Sequence, residues 1–309
     1  MKRIVPGLAI LYALAGNSLV TGCRSATDLT DSALPIVFFE GDLTGQLVLA
    51  SEDGTLRRTL LDLPDAFAQY PRWSRNGQRI VFYRNSADPH GPGGLYVINA
   101  DGSGLTAIST SGVNPGGADW SPDGAHLVVY TGTSIAVIGT DGSGLTPFPV
   151  TNADSRYGTW GLSWSPDGNE ILYNGTHNVG GFQGGPDVWA FNIATGATRM
   201  LASPGLDARW SPDGLRIAYI GSSSQGAPPS LNVIDRDGAN PRTLIPTGAA
   251  GPNWLEFTWS PDAKWLLYVG AGCCSNSAIH RISVDGGPSS LVLGAPDMSS
   301  RYPDWRWAQ

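Results

Sequence analysis

Tryptophan recurs in this chain at a nearly constant interval: Trp73, Trp120, Trp164, Trp210, Trp259 and Trp305 lie 47, 44, 46, 49 and 46 residues apart. Three of them open the run Trp-Ser-Pro-Asp-Gly, at Trp120–Gly124, Trp164–Gly168 and Trp210–Gly214. Two open altered copies, at Trp73–Gly77 and Trp259–Ala263, and the last closes a truncated copy, Pro303-Asp304-Trp305. A fixed period of this length means that one supersecondary unit is reiterated. Each unit then buries its apolar faces against its neighbours, because it is too small to bury them alone.

Within the unit the pattern is that of short strands. The first strand ends at the repeat Trp, and Pro-Asp-Gly makes a tight turn in which Pro presets φ and Gly supplies a positive φ. The second strand begins seven residues after Trp in all five complete copies, at Ile80, Leu127, Ile171, Ile217 and Leu266. A third strand such as Leu95–Ile98 or Ile135–Ile138 runs into an Asp-Gly turn at Asp53, Asp101, Asp141, Asp237 and Asp285, with Thr195-Gly196 in the remaining unit. A short fourth strand follows, as at Leu105–Ile108 and Arg242–Ile245. The 41 Gly and 23 Pro suit many short strands joined by tight turns. Four strands per unit at this period match the blades of a β-propeller. Ile36–Phe39 reads as a second strand that lacks its Trp strand, and Trp305 as a first strand that lacks its continuation. Pairing the two completes one blade, closes the ring and removes the exposed edges. The expected fold is therefore all-β, a six-bladed β-propeller of four-stranded antiparallel blades over residues 36–309.

The W-S-P-D-G core resembles that of the TolB-type, WD-repeat-like propeller family, over almost all of residues 36–309. The resemblance implies a role in docking partner proteins of the cell envelope, in the periplasm. The α/β domain that precedes the propeller in the best-known members has no counterpart expected here. The repeat also looks like the non-catalytic propeller of prolyl-oligopeptidase relatives, without a hydrolase domain.

Residues 1–22 read as targeting. Lys2 and Arg3 precede an apolar stretch from Ile4 to about Ala15, too short for a membrane span. The stretch ends in Leu19-Val20-Thr21-Gly22-Cys23, which resembles the bacterial lipobox. That resemblance implies a lipoprotein signal peptide, lipidation at Cys23, export and a lipid anchor to a bacterial membrane; a plain cleaved signal is the alternative. Each acyl methylene buried in lipid contributes ~0.8 kcal/mol. Arg24 in place of Asp points, by the same resemblance, to the outer membrane. Residues 23–35 are expected to form the lipidated Cys and a flexible stalk. Removal of residues 1–22 leaves 17 basic against 26 acidic residues, and no run of Lys or Arg occurs. A nucleic-acid footprint needs a clustered basic surface, so that class is excluded.

Residues repeated in every unit are packing elements first, so the six tryptophans are expected to wedge between blades. The residue before each Trp is polar (Arg72, Asp119, Ser163, Arg209, Thr258, Asp304) and alternation places it on the opposite face, toward the channel. Ring order sets Arg72 between Asp304 and Asp119, an expected acid–Arg–acid cluster that locks the closure. The loops after strands two and four share one face and vary in length, from Thr131–Thr133 to Gly175–Pro186. Variable loops on a rigid scaffold are where recognition concentrates. Tyr70, His90, Tyr157, Trp160, His177, Phe182, Trp254, Arg301 and Tyr302 collect there. Aromatics with an Arg suit protein contact or stacking on a sugar; packing of the loops is the alternative for any one of them. Cys273-Cys274 lies in one such loop, where an exported protein can form a disulfide. Neighbouring Cα atoms are about 3.8 Å apart, so such a ring would be strained; two free thiols are the alternative.

Catalytic signatures are not found. His90, His126, His177 and His280 fall in different units without H-x-x-H or H-E-x-x-H spacing, and there is no G-x-S-x-G elbow. Asp235–Asn240 comes nearest to a calcium loop but lacks the later bidentate Glu. No metal and no cofactor are expected. The reading is a membrane-anchored, non-catalytic propeller that binds an envelope protein or peptide through its loop-rich face. The alternative is a glycan-binding propeller, or a glycan-cleaving one of lyase or glycosidase type whose acids converge only in three dimensions.

Overall fold

The computed structural model describes residues 33–306 apart from 42–43, 88–92, 109–116, 132–133, 151, 154–160, 180–181, 222–228, 247–255, 271–277 and 294–299. Signal residues 1–22, Cys23 and the stalk up to residue 32 lie outside the described residues. Twenty-four strands make six four-stranded antiparallel sheets among the described residues.

The chain begins with β1 (Ile36–Gly41), β2 (Gly45–Ala50) and β3 (Arg57–Leu63), three strands of blade I. Blade II is β4 (Ala66–Trp73), β5 (Arg79–Ser86), β6 (Gly94–Asn99) and β7 (Thr106–Ile108). Blade III is β8 (Ala118–Trp120), β9 (His126–Tyr130), β10 (Ile135–Gly139) and β11 (Thr146–Pro147). Blade IV is β12 (Ser163–Trp164), β13 (Glu170–Val179), β14 (Phe182–Asn192) and β15 (Thr198–Ala202). Blade V is β16 (Leu206–Trp210), β17 (Arg216–Gly221), β18 (Ser230–Asp235) and β19 (Arg242–Ile245). Blade VI is β20 (Phe257–Trp259), β21 (Trp265–Gly270), β22 (Ala278–Ser283) and β23 (Ser290–Leu293). The last strand, β24 (Ser300–Trp305), then pairs with β1 and completes blade I in the order β24-β1-β2-β3. Ile36 pairs with Trp305 and Val37 with Asp304, and the Arg306 N–H donates to the Pro35 carbonyl at 2.7 Å. The ring closes through the two ends of the propeller segment, as the orphan strands require.

The Trp-Ser-Pro-Asp-Gly turn explains its own composition. The Ser hydroxyl donates to the Asp two residues on (Ser165–Asp167, 2.6 Å) and accepts the N–H that opens the second strand (Glu170 to Ser165 Oγ, 2.8 Å). The same pair of bonds recurs at Ser121, Ser211 and Ser260, and at Ser74 with Asn76 in place of Asp. The Gly that follows has φ between 62° and 77° in its four occurrences, Gly77, Gly124, Gly168 and Gly214. That left-handed region is open to Gly at no steric cost.

All six repeat tryptophans are buried, and they pack across blade boundaries. Trp120 lies among Val81, Leu95 and Val97 of blade II, and Trp305 among Leu267, Ile279 and Leu293 of blade VI. The indole N–H of Trp120 donates to the Arg72 carbonyl at 3.0 Å, and that of Trp259 to the Arg209 carbonyl at 3.1 Å. Arg79 covers Trp120 at 4.9 Å and donates to Gly124 O, while Arg216 covers Trp259 at 5.8 Å and donates to Ala263 O. Blade IV carries Glu170 at this repeat position. The cation over Trp210 comes instead from Arg236 of blade V, at 5.0 Å, held by Glu170 and Asp167. At this seam the cation over the Trp thus comes from the Trp's own blade and is held by acids of the neighbouring one.

Three of the polar residues before Trp tie one blade to another. Asp304 accepts the Trp73 N–H (2.8 Å), Asp119 the Trp164 N–H (2.7 Å) and Ser163 the Trp210 N–H (3.1 Å). The expected acid–Arg–acid closure is corrected in its partners. Among the described residues the Arg72 guanidinium donates to the Pro71 carbonyl and forms no ion pair with Asp304 or Asp119. Asp304 has turned its Oδ2 to the Trp73 N–H and its Oδ1 to the Thr258 hydroxyl, and it faces the Arg209 guanidinium at 3.8 Å. A backbone amide that has no sheet partner on the channel side is the more demanding donor.

Candidate functional site

Each inner strand begins on the face that bears the variable loops and runs toward its repeat Trp. The residue three before Trp is therefore one layer nearer that face than the Arg72–Asp304 ring, and alternation points it into the same channel. The layer consists of Tyr70, Gly117, Gly161, Asp207, Glu256 and Tyr302. Tyr70, Asp207 and Tyr302 are left-handed, with φ of 51°, 45° and 57°. The register of β4 with β5 and of β16 with β17 slips there, as does that of β24 with β1. Such bulges re-aim side chains. Non-glycine residues held in this region cost of order 1–3 kcal/mol each and gather at binding and switching sites.

Tyr70 and Tyr302 come from adjacent blades and meet edge to face, ring centroids 4.5 Å apart. Gln69 donates to the Tyr302 hydroxyl at 3.2 Å. The Tyr302 N–H donates to Glu256 Oε2 at 2.6 Å. Burial pushes Glu256 up to about 7, against the pull of that N–H and of Arg301. Burial likewise raises Asp207, opposed by Arg209 and Arg72, and raises both tyrosines, with Glu256 adding to the effect. Tyr70 and Tyr302 are buried, and Arg301 beside them is partly exposed. Asp207 is joined to blade IV by its own N–H, which donates to Asn174 Oδ1 at 3.2 Å.

The stretch Gly175–Pro186, expected as a loop, is largely strand. β13 and β14 continue their ladder out to Val179 and Phe182, so that only the dipeptide Gly180-Gly181 connects them. A Gly-Gly pair between strands is a short-hairpin signal, and it outweighs the local glycine content that suggests a loop. His177 sits on this extension, with Nδ1 2.5 Å from Oδ2 of the fully buried Asp187 and its ring partly exposed. The other Asp187 oxygen has no hydrogen-bond partner.

The structure thus brings together Tyr70, Tyr302 and Arg301, and places His177 on the extended hairpin. Phe182 pairs in β14, while His90, Tyr157, Trp160 and Trp254, with Cys273 and Cys274, lie outside the described residues. Asp207 and Glu256 were missed by sequence reasoning. The alternation that places Arg209 and Thr258 in the channel, carried two residues further back, finds both. Among the described residues no group of three or more His, Cys, Asp and Glu could hold a metal ion, and no helix is long and apolar enough to cross a membrane.

Fold and channel together define a six-bladed β-propeller whose axis is lined by one charged layer and one tyrosine–carboxylate layer. The fold is TolB-like. The structure superposes on TolB from Acinetobacter baumannii with a TM-score of 0.72 at 18% identity, over 90% of this chain and 68% of that one. An oligogalacturonate lyase in complex with manganese matches with a TM-score of 0.52 at 17% identity, over 85% of this chain and 74% of that one. In sequence, the Tol-Pal system protein TolB of Alcanivorax borkumensis is 35% identical over 85 residues. That match spans 27% of this chain and only 19% of the relative. No family model matches the sequence.

Proposed function

We propose that this chain is a non-catalytic binding propeller, exported and tethered to a bacterial membrane, the outer one, through lipidated Cys23, that holds an envelope protein or an extended segment of one at the loop-bearing mouth of its channel. The observation that carries this reading is the left-handed layer. Tyr70, Asp207 and Tyr302 are strained at the same strand position in three blades, and closing the ring does not require it, because the Trp-adjacent layer already ties the blades together. The 85-residue likeness to a Tol-Pal system protein supports a partner in the envelope. Edge-to-face tyrosines backed by a carboxylate, with Arg301 alongside, have the chemistry of a protein-contact centre.

A photo-crosslinking amino acid at Arg301, in cells carrying the anchored chain, tests this. A discrete protein adduct from that position, and none from Leu215, an exposed residue on the opposite face, is expected. Adducts of equal yield from both positions, or none, would refute it. Cys23→Ser should move the chain from the membrane to the soluble fraction. A second reading, a glycan-cleaving propeller, has one observation in its favour: the His177–Asp187 pair is the arrangement of a general base with its orienting acid. Release of sugar from envelope glycans by the wild type and not by His177→Ala would establish it over the first.

A further inference from the structure

On the axis, on the turn side of the tyrosine layer, the ring encloses a cavity of about 30 Å³. Its wall includes Arg72, Arg75 and Arg209 together with Asp119 and Asp304. The carboxylates are already engaged. Asp304 accepts the Trp73 N–H and the Thr258 hydroxyl, and Asp119 accepts the Trp164 N–H. Among the cations, Arg72 donates to the Pro71 carbonyl and Arg75 to the Trp164 carbonyl, whereas Arg209 is not matched in the same way. Arg209 stands 3.8 Å from both Asp304 and Asp207, outside hydrogen-bond reach, and its Nε and Nη1 have no hydrogen-bond partner. The indole Nε1 atoms of Trp73 and Trp210, two further wall residues, also have none. These unpartnered wall atoms are all donors, and leaving buried donors unmade costs about 1–3 kcal/mol each. Burial and the like charge of Arg72 pull Arg209 down to about 10.

A polar cavity needs roughly 10–15 Å³ to hold one water, so this one takes a guest of one or two waters' size. A water would accept from these donors but would bring two hydrogens of its own into a wall whose unpartnered atoms already donate. A cation would meet guanidinium groups and carboxylates that are already hydrogen-bonded. We propose that the cavity is a binding site for a small monovalent inorganic anion of chloride's size, held by Arg209 with Arg72 and Arg75 around it. Such an ion separates the like charges of Arg72 and Arg209 and links blades II and V across the axis, so it acts as a structural ligand.

The test is thermal unfolding of the purified full chain at constant ionic strength, with sodium gluconate replaced stepwise by sodium chloride or bromide. A saturable rise in Tm is expected, roughly 2–3 °C at ten times the half-saturating halide concentration. Gluconate, too large for the cavity, should give none. Arg209→Met should abolish the halide response. Should that variant not fold, crystals of the wild type grown in bromide give a second reading: an anomalous peak within reach of Arg209 is expected. Equal Tm values in gluconate and chloride, or water density without anomalous signal in bromide, would overturn the assignment.

Discussion

Asp304 is the residue on which closure of the ring turns, and its replacement by Asn tests that directly. Its side chain is buried, with Oδ2 2.8 Å from the Trp73 N–H of blade II, Oδ1 2.8 Å from the Thr258 hydroxyl of blade VI, and Arg209 3.8 Å away. Asp304→Asn keeps the shape but puts an amide NH2 against one of the two donors. It also removes one of the two counter-charges of a buried guanidinium, leaving Asp207. An orphaned buried N–H costs about 1–3 kcal/mol, and breaking a buried ion pair on one side costs about 3–5 kcal/mol. The 3.8 Å separation is loose, which argues for the low end of the second figure, and a loss of roughly 4–6 kcal/mol in all. Thr258→Val removes only the hydroxyl donor and should cost about 1 kcal/mol. Urea unfolding with the m-value fixed by the wild type measures both. Asp304→Asn within about 1 kcal/mol of the wild type, or no worse than Thr258→Val, would show that the closure is held by the β24–β1 ladder and packing alone.

The same contacts fix three further outcomes. Glu170→Arg places a cation where Arg236 already covers Trp210 and should destabilise by about 1–2 kcal/mol, whereas adding Arg236→Ala should recover most of the loss, because the introduced guanidinium could then cover Trp210 as Arg79 covers Trp120; additive losses in a double-mutant cycle would contradict this. Gly124 has φ of 69° and open space where a Cβ would stand, so Gly124→Ala should cost only the left-handed strain, about 1–2 kcal/mol by urea unfolding; a larger loss would point to a steric demand that the turn does not show. Glu256 is raised from 4.5 to about 7 in the folded chain, so between those values the native state binds more protons than the unfolded one. Its contribution is therefore fully present below about pH 4.5 and is lost as pH rises through 7; Glu256→Gln should flatten that decline in stability across the same interval, and an unchanged slope would assign the decline to other groups.

The architecture is legible because it is periodic. Six tryptophans, the Ser-Pro-Asp-Gly turn and two unmatched terminal strands suffice for blade number and closure, and the observed ladder pairs Ile36 with Trp305. Ser, Asp and Gly of the turn are readable for the same reason, since each satisfies a local backbone demand within five residues. The hairpin at Gly175–Pro186 reads as a loop because glycine marks both loops and two-residue turns, and only the ladder distinguishes them. Asp207 and Glu256 share no residue type with Tyr70 and Tyr302, so no motif links them. They meet only because four inner strands bulge or end at the same height.

By itself the sequence determined the repeat, the four-strand blade, the closed ring and the burial of each Trp, because these follow from spacing, alternation and turn chemistry, which are properties of short stretches of chain. The tertiary structure decided which charges face one another. Asp304 serves a backbone N–H while Arg209 keeps unpartnered donors, and Arg236, held by Glu170 across a seam, covers Trp210 of its own blade. Those outcomes depend on distances between residues as far as 45 and 231 positions apart. In a buried, weakly screened channel, a shift of about 1 Å separates a hydrogen bond from a bare electrostatic neighbour.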